Sequence, residues 1–202
     1  MDRRFDFRDE ATFRRDIKFG TQLEKYFFNK WMHVVVEQGI MRITSYTNNG
    51  CDNNGEFISS GTNTSGADYR VSGYTKTVEL TNEPLEVKWV PTAGKFTLKK
   101  NDLSAYVREN ANILFIYNTV NDGTDLKKPK DYNLDRHIKL LESKAKDFKW
   151  GILWNQNLKR MYTEAIKNNW FKPISYMGNK AGLIIKQQDY SKWFNEYNWE
   201  IQ

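Results

Sequence analysis

From Leu85 to Tyr117 the chain reads LEVKWVPTAGKFTLKKNDLSAYVRENANILFIY. Its opening alternates: Leu85, Val87 and Trp89 are apolar, while Glu86 and Lys88 between them are charged. A period of two is the pattern of a strand with one covered face. Pro91 and Gly94 break that strand. Asn101 or Asp102 can cap a helix that carries Leu103, Tyr106 and Val107 at helical spacing. Ile113-Leu-Phe-Ile-Tyr117 is apolar throughout, as a strand covered on both faces must be. Strand, helix and buried strand in succession predict a right-handed crossover between parallel neighbours. The expectation is an α/β core.

Outward from this unit the signals are more mixed. Upstream, Thr21-Gln-Leu-Glu24 reads as a capping box opening a helix to Trp31, with Leu23, Tyr26, Phe27 and Trp31 as its apolar face. The β-branched run His33–Gln38 and the alternating run Met41–Tyr46 read as strands. Thr47–Gly66 is a long polar stretch of Asn, Gly, Ser and Thr, the kind of loop that is usually functional or mobile. Asp68–Ser72, Thr75–Leu80 and Leu85–Val90 follow as three short strands, with turn chemistry at Ser72-Gly73 and Asn82-Glu83-Pro84. Downstream, Asp135–Phe148 and Gln156–Asn168 read as helices and Leu183–Lys186 as a last strand. The aromatics of Tyr190–Trp199 read as core or interface. A single domain over 1–202 results, with a basic N-terminal segment (1–19), a catalytic core (20–120) and a helical C-terminal elaboration (121–202).

Composition narrows the function classes. Of 202 residues, 39% are hydrophobic and 15% aromatic, enough to close a sizeable core. No apolar run approaches the roughly 20 residues of a membrane helix, and the charged N-terminus lacks the apolar stretch of a secretory signal. A single cysteine, Cys51, excludes an internal disulfide framework and a multi-Cys zinc site. Two histidines, His33 and His137, stand far apart without metal-ligand spacing. These features favour a reducing, cytoplasmic setting with no membrane partner. The net charge of +6 favours a polyanion such as nucleic acid.

The chemistry concentrates on three residues. On a strand, Glu86 and Lys88 share one face. Asp68, placed on a neighbouring strand beside Glu86, would join two carboxylates and one ammonium in one pocket. Two close carboxylates stay ionised together most readily around a divalent cation. Mg²⁺ prefers oxygen ligands and keeps several waters, one of which can act as nucleophile. Lys88 would orient that water or stabilise the pentacovalent phosphate. Such a set suits phosphodiester hydrolysis.

Asp68…Glu86-Val87-Lys88 resembles the PD-(D/E)xK motif of the restriction-endonuclease-like nuclease superfamily, with Ala67 where the motif has proline. The resemblance covers about half the chain, from Thr21 to Asn118. It implies a mixed central sheet flanked by helices, with the acids and lysine on the second and third strands of a meander. It also implies an auxiliary metal ligand on the first helix, for which Glu24 is the candidate beside its capping role. Phe96–Leu103 resembles the basic link after the catalytic strand, which makes Lys95, Lys99 and Lys100 candidates for nucleic-acid contact. The implied activity is that of a Mg²⁺-dependent endodeoxyribonuclease, with Mn²⁺ able to substitute. Its expected partner is double-stranded DNA, cut site-specifically in restriction or homing fashion by a homodimer. Structure-specific cleavage, as by a Holliday junction resolvase or a repair nuclease, remains an alternative. So does a non-catalytic nucleic-acid-binding protein on the same fold.

Overall fold

The computed structural model describes residues 10–48, 66–127, 129–175 and 180–200. Cys51 and nearly all of the polar stretch Thr47–Gly66 lie outside the described residues, as does the start of the basic N-terminal segment.

Helix α1 (Glu10–Glu37) is far longer than the Thr21–Trp31 segment expected from the sequence. Thr21 therefore caps nothing: it sits mid-helix, and its hydroxyl donates to the Ile17 carbonyl at 3.1 Å. His33–Gln38 is not a strand either, because it forms the last turns of α1. Tertiary packing overrides β-propensity there, since Phe27, Phe28, Trp31, Val34 and Val35 form one buried stripe at helical spacing. Gly39, at φ +64°, ends the helix, and the Ile40 N–H closes onto the Val35 carbonyl.

Strands β1 (Met41–Asn48), β2 (Tyr69–Thr75) and β3 (Glu79–Val90) form an antiparallel meander. The turn expected at Ser72-Gly73 lies instead at Thr75–Val78, where the Thr75 hydroxyl accepts from the Val78 N–H at 2.9 Å. Gly73 lies within β2, at a close approach that only glycine allows: a Cβ there would fall 2.3 Å from the Arg42 carbonyl oxygen. Asn82-Glu83-Pro84 is likewise no turn. It is a bulge inside one continuous β3, with Asn82 at φ +53° and its N–H donated to Ser72 Oγ.

Strand β4 (Lys95–Lys99) and helix α2 (Lys100–Glu109) follow, then β5 (Asn112–Asn118), every residue of which is buried. The crossover expected from the sequence brings β5 parallel to β3, with Leu85 opposite Asn112 and Val90 opposite Tyr117. Neither Asn101 nor Asp102 caps α2, which begins at Lys100 without a side-chain cap.

The C-terminal third is mixed rather than helical. Helix α3 (Leu134–Ser143) stops short of Phe148, and β6 (Phe148–Leu153) pairs antiparallel with β5. Helix α4 (Asn155–Lys167) leads to β7 (Lys172–Ile174), β8 (Lys180–Lys186) and β9 (Tyr197–Asn198). The main sheet is mixed, in the order β1-β2-β3-β5-β6-β9, and a second sheet runs β4-β8-β7.

Alternation along β3 and β5 sends apolar side chains to both faces of the main sheet. On one side Val87, Leu114, Ile116, Trp150 and Trp199 pack with the α1 stripe. On the other, Ile113 and Phe115 pack with Leu103 and Tyr106 of α2, Leu158 and Met161 of α4, and Phe96, Leu98, Leu183 and Ile185 of the second sheet. Tyr190, Trp193, Phe194 and Trp199 are buried, in keeping with a core role for the C-terminal aromatics. Among the described residues, no helix is long and apolar enough to cross a membrane.

Gly151 of β6 is where the C-terminal segment closes onto the sheet. A Cβ there would stand 2.4 Å from Phe194 Cδ2 and 2.6 Å from the Asn195 carbonyl oxygen. Gly151→Ala is expected to cost about 1–3 kcal/mol through overpacking, read as a lower urea midpoint with an unchanged slope.

Candidate active site

The three residues singled out from the sequence are brought together, and the backbone explains how. On β3, Leu85, Val87 and Trp89 face α1, while Glu86 and Lys88 face the α2 side, opposite Ile113 and Phe115 of β5. On the other flank of β3, the ladder with β2 ends at the Tyr69–Leu85 pair. Asp68 takes over one step beyond it, its Oδ2 accepting the Val87 N–H at 2.7 Å. The carboxylate thus replaces a strand carbonyl, terminates the ladder and is held beside Glu86. Ala67, fully buried, anchors the preceding residue by donating its N–H to Glu109 Oε2 at 3.3 Å.

Glu86 is only 3% exposed, an unusual position for a carboxylate. Its Oε1 accepts from the Tyr106 hydroxyl at 2.6 Å and from the Lys88 ammonium. Its Oε2 is buried with no hydrogen-bond partner. Lys88 is less enclosed, with its side chain 33% exposed. Nζ of Lys88 also lies 5.8 Å from the Tyr106 ring centroid, over its face.

Two opposed effects act on Lys88. Burial disfavours its charge, but Glu86 foremost, then Tyr106, Asp68 and Glu24, outweigh it and hold the ammonium above its ordinary pKa. Burial likewise holds the Tyr106 phenol well above its usual range, against the Lys88 charge and with the help of Glu86. Tyr106 is therefore a donor to Glu86 at any ordinary pH. Three carboxylates share the neighbourhood of one ammonium, which makes the site electrostatically receptive to a further cation.

Glu24 is half-buried on α1 and close enough for its charge to act on Lys88. Among the described residues, though, no three or more His, Cys, Asp or Glu side chains gather as a metal-ligating group. Asp68 and Glu86 are the carboxylates held by hydrogen bonds at the cluster, to the Val87 N–H and to Tyr106 and Lys88, and Glu24 acts on it through its charge. Lys95, Lys99 and Lys100 show no hydrogen bond or ion pair with Asp68 or Glu86 among the described residues. Lys99 Nζ is 3.7 Å from Asp102 Oδ2, and Lys100 opens α2 with its ammonium 5.3 Å over the Phe171 ring.

Tyr106 is the site residue that the sequence did not reveal as such. Its place in the apolar stripe of α2 hid it, although a buried phenol always needs a hydrogen-bond partner. Tyr106→Phe removes the donor to a buried carboxylate. It is expected to cost about 1–3 kcal/mol, measured by urea unfolding at neutral pH. No family model, no curated protein and no solved structure matches this chain.

Proposed function

We propose that the protein is a Mg²⁺-dependent endodeoxyribonuclease whose active centre is Asp68, Glu86 and Lys88 on a restriction-endonuclease-like core. One observation carries this reading: a carboxylate buried to 3% exposure, with one oxygen clamped by Tyr106 and Lys88 and the other unpartnered. A structural ion pair gains nothing from an orphaned buried oxygen, which costs about 1–3 kcal/mol or more. A metal ligand needs a lone pair that no protein donor occupies, and both lone pairs of Oε2 are in that state.

The donor set fits magnesium. Hard oxygen ligands suit it, and one or two carboxylates suffice because waters and substrate phosphate complete its shell. Asp68 and Glu86 would hold the ion. When bound, it supplies an activated water and offsets charge on the phosphate. The chain's own residues do the rest. The Val87 N–H fixes Asp68, and Tyr106 and Lys88 engage Glu86 through Oε1 alone, leaving Oε2 without a protein donor. Lys88, charged and part-exposed along its side chain, would meet the phosphate oxygens and offset the negative charge that builds on them. Its place two residues from Glu86 on the same strand face keeps the ammonium and the carboxylate in register throughout.

The element order supports this reading, with a first helix, a three-strand meander, a crossover helix and a buried strand parallel to the third, although a strand of the second sheet, β4, precedes that helix. Net charge of +6 favours a nucleic-acid substrate. We assign the activity to double-stranded DNA, with two copies of the chain cutting the two strands.

Incubation of the protein with supercoiled and linear DNA tests this directly. Cleavage is expected with Mg²⁺ or Mn²⁺ and none with EDTA. Lys88→Ala should slow it about 10²–10³-fold, as for loss of one stabilising donor, and Asp68→Ala should abolish it, while Lys146→Ala is unchanged. Discrete bands identify site-specific cutting, and a smear identifies non-specific degradation. Cleavage confined to branched DNA moves the assignment to a structure-specific nuclease. No metal-dependent cleavage of any DNA form refutes it.

A further inference from the structure

The second sheet carries a feature that neither the core nor the candidate site uses. Its inner face is apolar: Phe96 and Leu98 of β4 pair with Ile185 and Leu183 of β8 and pack into the core. Phe96 stacks on Phe115 at 4.2 Å between ring centroids, and Phe115 is the residue opposite Lys88. The outer face is therefore presented on the same side of the main sheet as the Glu86–Lys88 cluster.

Register determines what that outer face contains. Lys95 lies directly opposite Lys186, Thr97 opposite Ile184, and Lys99 opposite Gly182. Gly182 in turn pairs with Lys172 of β7, and Lys180 pairs with Ile174. Directly paired residues project to the same face, so Lys95, Lys99, Lys172, Lys180 and Lys186 share it. All but Lys99 are exposed, and among the described residues none of those four is paired with a carboxylate. No strand position on this face is acidic; Asp102, beside Lys99, belongs to α2.

Folding does not call for this arrangement. Like charges directly opposite one another across a ladder, as at Lys95 and Lys186, are destabilising. Lysines on edge strands protect against aggregation, which accounts for β4 and β7. β8 is likewise an edge where its lysines stand, since Lys186 is paired with β4 alone and Lys180 with β7 alone; edge protection explains single lysines there, but not two ammonium groups set directly opposite at Lys95 and Lys186.

We infer that the outer face of the β4-β8-β7 sheet is a docking surface for the phosphate backbone of duplex DNA. It would hold the duplex by charge while the strand to be cut enters the cluster beside it. With about 3.4 Å per residue along a strand and about 4.8 Å between strands, the five lysines, from Lys186 to Lys180 along β8, span a patch roughly 20 Å by 10 Å. A rigid sheet presenting point charges at that spacing contacts several phosphates of one backbone without reading base edges. The inference rests on the nuclease reading for its choice of DNA as the polyanion.

The test is the salt dependence of binding, followed by fluorescence anisotropy with two short DNA duplexes of unrelated sequence in EDTA. For Lys95→Gln/Lys186→Gln and for Lys172→Gln/Lys180→Gln, the slope of log K against log salt between about 50 and 200 mM should fall by about two, equally for both duplexes. Lys139→Gln/Lys146→Gln, exposed on and after α3 on the opposite side of the main sheet, should leave the slope unchanged. These side chains are exposed, so far-UV circular dichroism should be the same for all variants. Unchanged slopes in the sheet variants, or an equal fall in the α3-side control, overturn the surface. The outcome is separable from catalysis: cleavage with unchanged slopes removes the surface and leaves the nuclease. Lowered slopes without cleavage in Mg²⁺ do the reverse.

Discussion

The parallel pairing of β3 with β5 is the constraint on which the rest of the molecule depends. Parallel neighbours cannot be joined by a tight turn, so the chain between them must cross over one face of the sheet. Here that crossover is β4 and α2, and it covers the face onto which Glu86 and Lys88 project. β5 is buried along its whole length because α1 covers one side and α2, α4 and the second sheet cover the other. Once β3 is locked to β5, period-two alternation leaves the two charged residues no choice of side.

That choice has an energetic consequence. Burying a carboxylate is costly unless its charge is answered, and Glu86 is answered at one oxygen only. Tyr106 and Lys88 supply the donors, and the crossover helix supplies Tyr106. The cluster is thus built by the same element that closes the fold over it. Asp68 enters by a different route, as the side chain that ends the β2–β3 ladder. Its bond to the Val87 N–H satisfies the backbone and fixes the carboxylate in one step.

The C-terminal third is part of the core rather than an accessory to it. Through β6 and β9 it extends the main sheet, and through β7 and β8 it forms most of the second one. Buried aromatics tie these pieces in, with Trp150 meeting Trp31 edge-on and Phe194 packed on Phe115. The second sheet thereby becomes a rigid wall, apolar inside and lysine-rich outside, next to the carboxylate cluster.

Local pattern alone determined the strand at Leu85–Val90, the helix around Leu103–Val107, the buried strand at Ile113–Tyr117 and the pairing of Glu86 with Lys88. Each of these is a matter of periodicity within a few residues. Tertiary structure decided the rest, because each remaining feature depends on partners distant in sequence. His33–Gln38 is helical because the α1 stripe continues into the core, against its β-branched composition. Gly73 and Asn82-Glu83-Pro84 look like turns but serve close approach and a bulge within strands. Phe148–Leu153 becomes a strand because β5 offers it an edge. Tyr106 joins the site, and five lysines from three separate segments share a face, only because strand register and helix packing bring them together.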